Sequence, residues 1–97
     1  MQPSNPARKI DFAKVEELRR SLLMSVEDMA TFFGVKRQTY YKWLNGGQPR
    51  QTNFDATRGQ ILLLLKLLQS GWPSSQAIAA KSTDRYALLL EAVRELE

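Results

Sequence analysis

The chain has 97 residues, 43% of them hydrophobic, and a formal net charge of +4. That length suits one domain around one modest core, and that composition argues against global disorder. Cysteine and histidine are both missing. Disulfides, thiolate or imidazole metal sites and a histidine general base are therefore excluded. Neither a metal nor a cofactor is expected, and an enzyme is a distant reading. The acids Glu16, Glu17, Glu27 and Asp28 look scattered over helix starts and solvent faces, with no pair placed for acid–base work.

The placement of charge says more than its total. Residues 1–50 carry nine Lys/Arg against five Asp/Glu, whereas residues 51–97 carry five of each. The excess positive charge lies in the first half, and the second half is neutral and leucine-rich. Such asymmetry suggests a polyanion-binding half joined to a packing half. The longest apolar run, Ile61–Leu65, is far shorter than the ~20 residues that span a bilayer. The polar, proline-broken start shows no secretory signal, so a soluble, cytoplasmic protein with no membrane partner is expected.

In chain order, residues 1–10 read as a flexible N-terminal arm, in which Arg8 and Lys9 are candidates to touch a phosphate or a groove. A first helix is predicted at about 11–23, with Phe12, Val15, Leu18 and Leu22 on one face and Asp11 near its start. Ser25-Val26-Glu27-Asp28 is a helix start, and Val26, Met29, Ala30 and Phe33 fall on one side. Gly34 suits the left-handed stop. A third helix runs from Arg37 to Asn45, with Tyr40, Trp43 and Leu44 as its apolar stripe. Gly46-Gly47 and Pro49 end it. A polar loop, 48–53, leads to a fourth helix, about 54–70, with leucines on nearly all sides, as in a helix buried on more than one face. Gly71–Ser75 is a break, and 76–80 allows one helical turn. A last helix, 84–96, is capped by Ser82 or Thr83. No strand pattern is visible. The expectation is an all-α, compact bundle of about five helices.

The stretch Ser25 to Gly46 is the informative one. Two short helices meet across a tight turn, with small Ala30 at the crossing, Gly34 in the turn and Val35 plugging the angle. Tyr40 and Trp43 would pin the second of them to the core, leaving its polar face free to enter a major groove ~12 Å wide. The stretch resembles the helix-turn-helix of the Cro and phage-repressor (XRE-type) family, through Ala30, Gly34, Val35, Gln38, Thr39 and Asn45-Gly46. The resemblance spans about Leu18 to Leu68. It implies a lambda-repressor-like DNA-binding fold over 11–70 and a dimeric regulator, a repressor of phage or mobile-element type, acting on a double-stranded operator in a bacterial or phage-infected cell. Two positions depart from the family pattern. Val26 stands where a phosphate-holding glutamine is usual, and Leu44 where a glutamate is frequent.

By that resemblance the base-reading positions are Arg37, Gln38, Tyr41 and Lys42. Their chemistry agrees: arginine and lysine can bond guanine O6 and N7, and glutamine can bond adenine N6 and N7. Lys36, Thr39, Asn45, Gln48, Arg50, Thr52 and Asn53 are phosphate candidates. The segment 36–66 holds six Lys/Arg and a single acid, Asp55. The rival readings are a merely solvated helix face for the base-reading set, and a single-strand stacking platform for Tyr40 and Trp43.

Residues 71–97 read as a helical extension. Paired recognition helices need something to pair them. The leucine-rich fourth helix and the last helix are the available surfaces, with Leu89, Leu90, Val93 and Leu96 as dimerisation candidates. The alternative function is a protein-interaction module, anti-activator or antitoxin-like, that offers Tyr41, Trp72 and Tyr86 as exposed aromatics to a protein partner.

Overall fold

In a computed structural model that describes residues 9–97, the Asp11 carboxylate accepts from the Ala13 amide and starts α1, Phe12–Ser21. Phe12, Val15 and Leu18 recur at helical spacing and all three are buried, as is Leu22 just beyond the helix. The chain then turns through Leu23, whose φ of 62° is uncommon for a residue with a side chain. The turn is held by Arg19, whose Nη1 donates to the Met24 carbonyl at 2.8 Å. Arg8 and the rest of the arm before Lys9 lie outside the described residues.

Ser25 begins α2, Val26–Phe33, with a reciprocal cap. Its Oγ accepts from the Asp28 amide, and Asp28 Oδ2 accepts from the Ser25 amide. Met29, Ala30 and Phe33 face inward. Gly34 closes the helix at φ 73°, a conformation a glycine adopts without steric cost. The Val35 amide then donates back to the Ala30 carbonyl at 2.9 Å. The next helix, α3 (Arg37–Leu44), follows directly.

The fourth helix, α4, covers Gln51–Gln69, so it starts about three residues before the expected Phe54. Phe54, Thr57, Leu64 and Leu67 are its buried positions. The expected burial on more than one face is met only in part: the helix packs on α1 and on the last helix, and its opposite side stays open. Leu62 is 59% exposed and Leu65 39%.

The last two helices are α5 (Ser75–Ala79) and α6 (Ser82–Leu96). The expected isolated turn at 76–80 is α5, which makes six helices among the described residues where about five were expected. Ser74 caps it through its hydroxyl. Neither Ser82 nor Thr83 caps α6; both lie inside it, and Lys81 at the cap position makes no side-chain cap. Arg85 works at this junction instead. Its guanidinium donates to the carbonyls of Ala77 and Ala80 at 2.8 and 2.9 Å, satisfying the end of α5.

One buried cluster joins the whole described chain, from Phe12 to Val93. Trp72 belongs to it, at 8% exposure, and its indole N–H donates to the Leu22 carbonyl at 2.9 Å. Trp72 is therefore a core residue and offers no surface to a partner; Tyr86 is half-buried. Leu89 and Val93 are likewise buried in this chain's own core, on the α6 side that packs on α4. Of the four dimerisation candidates only Leu90 is exposed, with Leu96 half-buried. Among the described residues there is no strand.

Candidate nucleic-acid interface

A helix of eight residues is marginal alone, so α3 owes its place to the side chains it buries. Tyr40 is fully buried and Trp43 nearly so. The Trp43 ring stacks on Phe12 of α1 at 5.0 Å and meets Phe33 of α2 edge-on at 5.8 Å. Tyr40 lies beside Phe33 and Trp43, each with its ring centre at 6.5 Å. These contacts fix α3 on two helices at once. They also settle Tyr40 and Trp43 as core residues, with no face free to stack on bases.

Glu16 adds a polar lock that local patterning missed. Its carboxylate accepts from Arg19 Nε at 2.8 Å and from the Tyr40 hydroxyl at 2.9 Å. Arg20 Nε lies 3.7 Å away. The Arg19 fork holds the Glu16 carboxyl below its usual range, against the opposing pull of partial burial, with the Tyr40 hydroxyl helping. Burial and the Glu16 charge push the Tyr40 phenol well above its ordinary value. Glu16 is thus no solvent-face acid. The spacing of Glu16, Arg19 and Arg20 announces local ion pairs, but the Tyr40 partner, 24 residues on, has no local signature.

With that inner face fixed, Arg37, Gln38, Tyr41 and Lys42 all stand on the exposed side of α3. Tyr41 is 46% exposed. Arg37 Nη1 meets Glu27 Oε1 of α2 at 3.2 Å, both side chains being mostly in solvent. Such a pair contributes little and opens readily.

Beside this face, between α3 and the start of α4, lies an open recess of about 790 Å³. Lys36, Thr39, Lys42, Arg50 and Asn53 line it together. The first turn of α4 carries no acid and no side-chain cap, so its amides and the helix dipole present positive potential. Gln60 braces this wall by donating to the Phe32 carbonyl at 2.9 Å. Asn45 and Thr52 are exposed close by in sequence but do not line the recess.

Gln48 is placed differently from the rest of the phosphate set. Although it borders the recess, its amide is anchored on both its oxygen and its nitrogen to the chain's own backbone. Oε1 accepts from the Ile10 amide at 2.8 Å, and Nε2 donates to the Ile10 carbonyl at 2.9 Å. It clasps the segment before α1 to the loop after α3. No local pattern signals a contact across 38 residues.

Residues 15–56 match a family model described as helix-turn-helix, from the middle of α1 into the first turns of α4. Comparisons with curated proteins and with solved structures gave no match. Among the described residues no helix is long and apolar enough to cross a membrane. The matched stretch contains the capped α2, the Gly34 turn and the whole of α3. Over that stretch the chain is similar to the Cro and phage-repressor-like (XRE-type) helix-turn-helix family, which supports a DNA-binding regulator of transcription.

Proposed function

We propose that the chain is a sequence-specific repressor of phage or mobile-element type. It lays α3 in the major groove of a near-palindromic operator, works as a homodimer, and acts in the cytoplasm of a bacterial or phage-infected cell. The observation that carries this reading is the division of α3. Its inner face is locked by Tyr40 and Trp43, while Arg37, Gln38, Tyr41 and Lys42 stand exposed beside a basic recess.

Arg37 and Lys42 suit guanine O6 and N7, and Gln38 suits adenine N6 and N7. Engaging DNA releases Arg37 from Glu27. Lys36, Arg50 and the first turn of α4 hold phosphates, with Thr39, Asn45, Thr52 and Asn53 around them. This group takes over the grip that Val26 does not supply.

The test is fluorescence polarisation on duplexes from the promoter of its own gene and on scrambled duplexes, across a salt series. Specific binding should weaken steeply with salt. Replacing Gln38 or Lys42 by alanine should cost about 1–3 kcal/mol and relax preference at one base pair. Equal affinity for the scrambled duplexes would sink the base-reading assignment.

A further inference from the structure

We infer that two copies of this chain pair through the solvent side of α4, antiparallel and centred between Gly59 and Leu62. The inference rests on the homodimer in the reading above but not on DNA binding. Asp55, Gly59, Leu62 and Lys66 are spaced by four, three and four residues, so they form one stripe on the helix. All four are exposed, and Leu62, at 59%, is the most exposed large hydrophobic residue among those described. Leu65 stands beside it, over a shallow groove of about 300 Å³ between α1 and α4.

Gly59 is the second observation. A glycine inside a helix weakens it, and here nothing within the chain requires one. An added Cβ would meet no atom within 4 Å. A close approach from outside the chain gives the glycine a use.

The stripe is complementary to itself under a two-fold axis. Run antiparallel about its midpoint, it sets Leu62 of each copy over Gly59 of the other. The same register sets Asp55 opposite the second copy's Lys66, at both ends of the seam. Opposite charges thus meet where a parallel alignment in register would bring like charges together. This is the isologous pattern of a closed dimer. None of the four stripe residues lines the basic recess next to α3, so the seam and the recess use different residues of α4.

The experiment is sedimentation velocity on the full chain without DNA, with circular dichroism and thermal melts on every variant. The wild type should be a dimer at micromolar concentration. Leu62→Glu, at an exposed position, should keep its helix content and become a monomer. Lys66→Asp should weaken pairing at least tenfold, and adding Asp55→Lys should restore it. Gly59→Ala should weaken pairing while the monomer, measured on the Leu62→Glu background, becomes more heat-resistant. A purely structural role for this face would not separate those two readouts. A wild type that stays monomeric at several hundred micromolar overturns the pairing altogether. A dimer that survives both Leu62→Glu and Lys66→Asp overturns this seam and leaves the homodimer reading standing.

Discussion

Gln48→Ala tests the assignment of Gln48 as a clasp. The substitution removes two hydrogen bonds, from the Ile10 amide and to the Ile10 carbonyl, at 2.8 and 2.9 Å. Both are part-buried, so water can replace some of what is lost. At about 0.5–1.5 kcal/mol net for each bond, the loss is about 1–2 kcal/mol. For a domain of this size that lowers Tm by roughly 5–15 °C. DNA binding should respond differently. A Lys or Arg that neutralises a phosphate lowers the salt slope of binding by about one when removed, whereas loss of a neutral phosphate contact lowers affinity at every salt concentration. Gln48 carries no charge and is anchored to Ile10, so neither the slope nor the affinity at fixed salt should move. The assay pairs a thermal melt of the free protein with polarisation on an operator duplex over a salt series, with Arg50→Ala as the contrasting variant. Arg50→Ala should flatten the slope by about one and leave Tm nearly unchanged. If Gln48→Ala leaves Tm intact but weakens binding as Arg50→Ala does, the clasp assignment is wrong and the residue belongs to the phosphate set.

Glu16 and Tyr40 predict stability losses at both ends of the pH scale. Glu16 has a lowered native pKa, so its contribution is present above the usual carboxylate value of 4.5 and is lost as pH falls through the lower native value. Acid unfolding of Glu16→Gln, followed by circular dichroism, should show a shallower dependence on pH in that window. Tyr40 has a raised native pKa, so its contribution is complete below the ordinary value of 10.0 and is lost as pH rises above it. Tyr40→Phe should flatten the alkaline limb of the stability curve. Trp72→Phe keeps a six-membered aromatic ring but removes the pyrrole part and orphans the Leu22 carbonyl, at a buried residue. It should cost about 1–3 kcal/mol in a denaturant titration without changing operator affinity.

What could be read in advance was local. Ser25 with Asp28, and Gly34 at the following stop, are short-range devices whose partners lie within a turn of the chain, so residue type and spacing suffice to place α2 and α3. The division of α3 into an inner and an outer face follows from period alone. Apart from helix ends, such as the cap expected at Ser82 or Thr83, the misses are relations between distant segments. Gln48 looks like any loop amide until Ile10 arrives beside it. Trp72 looks like an exposed aromatic in a polar break until Leu22, 50 residues earlier, takes its N–H. Leu89 and Val93 lie on an amphipathic face that suits a partner or a core equally well, and only the path of the chain after Gly71 decides for the core. The leucine run in α4 misled in the opposite direction. Leucines on nearly all sides suggest burial on more than one face, but the neighbouring helices leave Leu62 and Leu65 exposed.

The separation of scaffold from reading face has a consequence for how such a protein can change. Tyr40 is gripped by aromatic rings and by Glu16, and Trp43 by Phe12 and Phe33. None of these contacts involves Arg37, Gln38 or Lys42. On the proposed reading, a new operator can therefore be matched at those three positions at little cost in stability, because exposed helix positions tolerate substitution and the exposed Arg37–Glu27 pair contributes little. The reverse does not hold. Any change that shifts Tyr40 tilts α3 as a unit, because eight residues have no stability of their own to resist it, and every base contact moves together. Core substitutions near Glu16 should thus weaken binding to all operators alike, and outer-face substitutions should re-rank them.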